Sequence, residues 1–360
     1  TPREIIETVV IPDLTEAKNK LPYKEQMVSA SGSSISSEGR ADKMAAEAML
    51  ARVYMTLAGS PYNDSNAKSL AKTQLENILN YSVANGDKYW APTLDEWRKQ
   101  WMPSTDYYNK YSIFAIQHRT NENRNYLIFN FSPGLPPSYT SRRIFGNSIW
   151  VEKTLEYEFE RTFSNGKKDG RGIGFTILEG YEEEPNYPAY TNDRENVILE
   201  DGTTVEVYTK TMFYKYLPSK PKLAELGMSF DESSMAGDYD WPVNFPILRL
   251  EDMMLLYAEL LADEGNVVEA MYYVNKIRER AGCDPETAST SADALRLIKR
   301  ERRVELAGEG IRWFDLVRYG EWQSAITRMF DNYNNPDGTD KSELKNGRYL
   351  YPIPLDQMNA

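Results

Sequence analysis

Two apolar stripes on one helix constrain this chain more than any other feature. Between Ala41 and Ala58, Met44, Ala48, Ala51, Met55 and Ala58 recur at helical spacing on one side, while Ala46, Leu50, Val53 and Leu57 recur on another. A helix that is apolar on two faces belongs between neighbours, and its alanines let their backbones come close. Gly59 to Asp64 (GSPYND) then supplies turn chemistry. A partner stripe follows at Ala67, Ala71, Leu75 and Ile78, completing a helical hairpin. The design returns far downstream, where Leu250, Met253, Tyr257 and Leu260 run beside Met254, Ala258 and Leu261. Gly265 makes the turn, and Val267, Ala270, Val274, Ile277 and Ala281 form the partner stripe, which ends at Gly282 ahead of Asp284-Pro285. Such hairpins are of the tetratricopeptide type, with copies too far apart for a regular tandem. The expected fold class is mainly α: tetratricopeptide-like helical hairpins in an α/α superhelix, with a large loop-rich insertion containing short strands.

The flanks agree with this reading. Thr1-Pro2-Arg3-Glu4 has the form of a capping box with proline at the first helical position. Its stripe, Ile6, Val10, Leu14, Ala17 and Leu21, predicts a helix bent at Pro12 and closed by Pro22. Ser29 to Gly39 reads as a loop. Residues Tyr81 to about Phe245 are rich in Gly, Pro, Asn and aromatics; Ile113–Ile116 and Tyr126–Phe129 read as short strands, and Thr203–Val207 alternates polar and apolar residues. A single body is expected, divided into a helical-hairpin part (1–80), a loop-rich ligand-facing insertion (81–245) and a C-terminal hairpin with a charged motif (246–360).

Composition removes several function classes. With 360 residues, 41% of them hydrophobic, the chain can bury a large core. A formal charge of -12 opposes binding to phosphate backbones and anionic membranes, and no apolar stretch approaches the roughly 20 residues that span a bilayer. One cysteine (Cys283, read as a packing residue) and one histidine (His118, read as a surface or strand-end residue) exclude a disulfide framework and Cys- or His-based zinc sites. No motif nominates a metal or a cofactor. Asp331 to Asp340 (DNYNNPDGTD) lacks the glutamate that closes a calcium loop. Gly170-Arg171-Gly172-Ile173-Gly174 lacks dinucleotide spacing and reads as a flexible turn.

Two groups of residues compete for a functional role. Glu301, Glu305, Glu309 and Asp315 could be catalytic carboxylates, but they interleave with Arg300, Arg302, Arg303, Arg312 and Arg318, which can pair with them and keep them ionised. The aromatic insertion is the better candidate, with Trp90, Trp97, Trp101 and Trp150 beside Tyr126 and Tyr139. Flat rings stack on the apolar faces of pyranoses while neighbouring amides, carboxylates and guanidiniums bond the hydroxyls. Two clusters have that mixture: Trp101, Tyr107, Tyr108 and Asn109, and then Arg142, Asn147 and Trp150.

Several local signatures combine into a resemblance. Arg249 to Glu259 (RLEDMMLLYAE), Glu301 to Ala307 (ERRVELA), Glu309 to Gly320 (EGIRWFDLVRYG) and Leu350 to Pro354 (LYPIP) resemble the C-terminal hallmark of the SusD/RagB family of outer-membrane nutrient-binding lipoproteins. Ala45 to Tyr54 (AAEAMLARVY) is similar to that family's earlier repeat helix. The resemblance is weakest between Tyr81 and Asp240, where ligand-facing loops would lie. It implies a SusD-like fold and non-catalytic capture of oligosaccharides at the cell surface for delivery to a TonB-dependent, SusC-like transporter. It further implies a lipoprotein signal, a lipidated cysteine and more helices before Thr1, so that membrane contact runs through a lipid anchor outside this chain, and further sequence past Ala360. The other readings are a peptide-binding member of the same family, a glycoside hydrolase using a carboxylate pair, and a plain helical-repeat scaffold.

Overall fold

A computed structural model describes residues 1–29, 31–34, 39–103, 111–122, 125, 134–142, 150–186, 194–199, 201–208 and 211–326. The opening helix begins as its capping box predicts: Thr1 Oγ1 accepts from the Glu4 backbone N–H at 3.2 Å, and the Glu4 carboxylate accepts from the Thr1 amine at 3.1 Å. It runs as α1 (Pro2–Ile5), a π-helical turn (Ile6–Val10) and α2 (Ile11–Lys20). Pro12 brings no N–H and its ring crowds the carbonyl four residues back, so the ladder widens ahead of it instead of breaking. The turn inserts one residue, which moves the buried stripe: Ile6, Ile11 and Leu14 pack on the core, with Ile11 in the role expected of Val10.

The two hairpins form where the stripes place them. Helix α3 (Lys43–Ala58) is capped by Asp42, whose Oδ1 accepts from the Ala45 N–H at 2.8 Å, and it lies between α2 and α4 (Ser65–Ala84). Both of its stripes are covered, with Met44, Ala48, Ala51 and Met55 buried on one side and Ala46, Leu50 and Leu57 on the other. Gly59 ends it at a close approach, since a Cβ there would sit 2.4 Å from the Arg318 carbonyl oxygen. The neighbouring Ser60 N–H donates to that same oxygen at 2.8 Å.

Residues between the hairpins add α5 (Leu94–Lys99), β1 (Ser112–Ile116), α6 (Lys153–Glu160), β2 (Ile177–Leu178), β3 (Arg194–Ile198), β4 (Thr204–Tyr208), β5 (Met212–Phe213), α7 (Lys220–Glu225) and β6 (Phe245–Arg249). The expected strands at 113–116 and 203–207 are present as β1 and β4, and 126–129 lies outside the described residues. Strand β1 pairs antiparallel with β6, from Ser112 opposite Arg249 to Ile116 opposite Phe245, so the insertion is stapled shut at its base. The other pairings, β2 with β5 and β3 with β4, are local and antiparallel. The second hairpin is α8 (Leu250–Asp263) and α9 (Val267–Arg280), followed by α10 (Ser291–Glu305) and α11 (Arg312–Tyr319). Helix α4 packs on α8, which in turn touches α9 and α10, so the helices stand side by side as one mainly α frame.

The insertion has its own aromatic core. Trp97, Trp101, Tyr214, Tyr216, Phe175 and Trp241 are all essentially inaccessible there. Trp101 packs edge-on against Tyr216 at 5.5 Å, with the Lys215 ammonium 4.1 Å from its ring centre. Among the described residues no helix is long and apolar enough to cross a membrane.

Candidate ligand-binding surface

Buried charge fastens the insertion to the frame. Glu305, on the last turn of α10, is completely buried and accepts from four side chains: Arg249 at 3.0 Å, Arg280 at 2.8 Å, Arg171 at 2.7 Å and Trp97 Nε1 at 2.9 Å. Glu309 takes both arms of Arg249 at 2.8 Å and Lys215 Nζ at 2.7 Å. Glu301 bridges Arg171 at 2.6 Å and Arg278 at 3.1 Å. Burial alone would raise the Glu305 carboxyl, but the guanidiniums of Arg280, Arg249 and Arg171 outweigh it and hold the group well below the ordinary range. The expectation that arginines satisfy these acids is met with a change of partners. Only Asp315 relies on its near neighbours, taking two bonds from Arg302 (2.9 and 3.0 Å) and one from Arg318 (3.0 Å).

Arg171 corrects the reading of residues 170–174 as a flexible turn. It is fully buried, and the glycines around it are dictated by packing: a Cβ on Gly172 would lie 2.7 Å from Phe159, and one on Gly170 would lie 2.3 Å from Leu94. Arg171, Lys215 and Trp97 all belong to the insertion and all grip the C-terminal motif. The loops that could meet a ligand therefore start from a fixed base.

On that base lies a groove of about 510 Å³ lined by Ser138, Tyr139, Gly180, Tyr181 and the acidic run Glu182 to Glu184. The Tyr139 and Tyr181 rings are half-buried, 6.2 Å apart and inclined at 59°, and Tyr139 also rests edge-on against Tyr214 at 6.1 Å. Tyr181 donates its hydroxyl to the Gly134 carbonyl at 3.3 Å, which fixes the ring. Burial, followed by the charges of Glu182 and Glu184, raises the Tyr139 hydroxyl above its usual range, so it remains a donor at neutral pH. Ring surface, a hydroxyl and a row of carboxylate acceptors suit a polyhydroxylated ligand whose hydroxyls need acceptors and whose ring carbons need an apolar floor. A larger groove of about 840 Å³ runs past Tyr89, Trp90 and Tyr111. There, cations already occupy the aromatic neighbourhoods: Arg280 lies 4.5 Å and Lys276 5.0 Å from the Trp90 ring, and Lys24 lies 5.1 Å from that of Tyr89.

The residues singled out from sequence separate on inspection. Trp101 is sealed in the aromatic core, so its proposed stacking on ligand is corrected: its flanking Lys215 and Tyr216 leave it no free face. Tyr107, Tyr108, Asn109 and Asn147 lie outside the described residues. Arg142 is half-buried and donates to the Glu232 carbonyl and, at 2.8 Å, to the Met235 carbonyl, holding the turn beside it. Trp150 is 37% exposed. It forms a bridge with Met212, two residues before Tyr214, and Val151 donates to the Thr211 carbonyl at 2.8 Å. Trp150 and the Tyr139 groove are thus tied to one short segment. Tyr181 and Glu182 to Glu184 escaped the sequence reading, although a tyrosine followed by an acidic run in a Pro- and Asn-rich stretch was the available signal.

Comparison with known proteins decides the family. The SusD family signature matches residues 51–360. The chain belongs to the SusD family. A curated relative of this SusD-family chain, SusD-like protein P38 of Formosa agariphila, is 26% identical over 329 residues, which cover 86% of this chain and 56% of that protein. A SusD-like protein of Bacteroides ovatus is 28% identical over 142 residues, covering 39% of this chain and 24% of its own length. This chain therefore spans little more than half of the first of these relatives. Among solved structures, a SusD homolog from Bacteroides thetaiotaomicron superposes with a TM-score of 0.68 at 18% identity, covering 100% of this chain and 69% of that one. Surface glycan-binding protein A from Bacteroides uniformis gives 0.58 at 19% identity, covering 97% and 68%. A structure solved with xylogluco-oligosaccharide gives 0.59 at 23%, covering 92% and 59%. At these identities the likeness establishes the SusD fold.

Proposed function

We propose that this chain binds an oligosaccharide without cleaving it, at the cell surface, and passes it to a TonB-dependent, SusC-like transporter of the outer membrane. The observation that carries the reading is the groove of Tyr139, Tyr181 and Glu182 to Glu184, built on an insertion that buried ion pairs clamp to the frame. Membership in the SusD family supports it, and so do fold neighbours named for glycan binding or solved with a glycan. Trp150 is assigned to the same face as a stacking ring at its margin. Non-catalytic action agrees with the state of Glu305 and Asp315, since an acid ringed by arginines gives up its proton and cannot deliver one to a leaving group.

A glycan array followed by isothermal titration calorimetry tests the reading. Saturable binding of an oligosaccharide, weakened by Tyr181→Ala and by Trp150→Ala, is the expected result. Binding confined to peptides would favour the peptide-capturing alternative, and turnover of the bound glycan would favour a hydrolase.

A further inference from the structure

Helix α6 brings Glu156 and Glu160 one turn apart on one face, and Glu179, immediately after β2, closes on them. One carboxylate oxygen from each lies within 4.8 Å of the others. Glu156 is completely buried, and among the described residues neither of its oxygens has a hydrogen-bond partner; the same is true of Oε1 of Glu179. A buried carboxylate with both oxygens unmet is costly, and native folds seldom leave one without a counter-charge. Among the described residues two cations reach this cluster, Arg194 at 2.8 Å and Lys168 at 3.5 Å, and both bond Glu160 at its outer edge, leaving the buried oxygens of Glu156 unmet.

We propose that Glu156, Glu160 and Glu179 form a binding site for a hard divalent cation of calcium's size. Calcium takes carboxylate oxygens at about 2.3–2.6 Å in flexible geometry, so oxygens up to about 4.8 Å apart can share one ion, whereas magnesium demands near-ideal octahedral placement. A cation relieves the mutual repulsion of three carboxylates held this close. It also has a structural consequence, because Leu178 beside Glu179 pairs with Met212, the residue that Trp150 bridges. The ion braces the segment that carries Trp150.

Titrating the EDTA-treated full chain with calcium chloride in a calorimeter tests this without any glycan. Saturable binding with a Kd of about 10⁻⁴–10⁻³ M or tighter is expected, weakened by about tenfold or more in Glu156→Gln and in Glu179→Gln. Near-UV circular dichroism checks that each variant is folded, and Glu179, only half-buried, serves if the Glu156 variant does not fold. No saturable heat below about 10 mM calcium, or equal binding by the wild type and both variants, overturns the proposal.

Discussion

Glu305 draws four donors onto one carboxylate, and a residue in that position behaves unlike a surface acid. Arg249 touches Glu251, Glu305 and Glu309 together, so Arg249→Met strands several buried charges at once. Loss of one partner from such a group costs about 3–5 kcal/mol, and urea denaturation should show that loss. Acid should attack the same residues. In the folded chain Glu305 titrates well below its ordinary 4.5, while Asp252 and Asp315 titrate below 3.8: burial acts against this, and the guanidiniums around each group prevail. The unfolded state therefore binds protons first, so this contribution is complete above the unfolded values and is lost as pH falls through and below them. Urea midpoints should drop below about pH 4.5; a midpoint insensitive to acid would contradict the ion-pair description.

Single elements were legible wherever one periodicity had one cause. Both hairpins, the Thr1 capping box and the strands at 112–116 and 204–208 lie where stripe, turn and alternation placed them. The π-turn ahead of Pro12 was not legible in detail, because proline announces that the ladder must change but not whether it bends or gains a residue. Gly59 shows the same limit: its GSPYND context reads as a turn, yet its requirement comes from Arg318, far along the chain. Gly59→Ala should push a methyl into that carbonyl and cost about 1–3 kcal/mol, measured by denaturant titration against the wild type. The insertion misled at the level of single aromatics, since a tryptophan among Asn and Arg looks the same in sequence whether it floors a groove or fills a core. Trp101 fills the core, so Trp101→Ala should cost about 3–5 kcal/mol, while Trp150→Ala at a partly exposed position should stay within about 1 kcal/mol.

Across the whole molecule, the proposed reading assigns stiffness and recognition to different parts. Helices α3, α4, α8 and α10 are joined by apolar packing and by a chain of charge from Arg52 through Asp252 and Arg302 to Asp315. The insertion adds an aromatic core and reaches the frame through Arg171, Lys215 and Trp97. Rings and carboxylates of the Tyr139 groove stand on this support, and on the proposed reading such a pre-set arrangement would lower the ordering cost of capturing a flexible sugar chain. Binding without cleavage is tested most directly by calorimetry of the wild type and of Tyr181→Ala with the best array glycan, followed by chromatography of the glycan recovered from the cell. Saturable binding by the wild type, weakened roughly 2- to 10-fold by loss of one ring, with the glycan recovered at its original length, is the predicted result. Shortened glycan, or equal affinity in the two proteins, would contradict it.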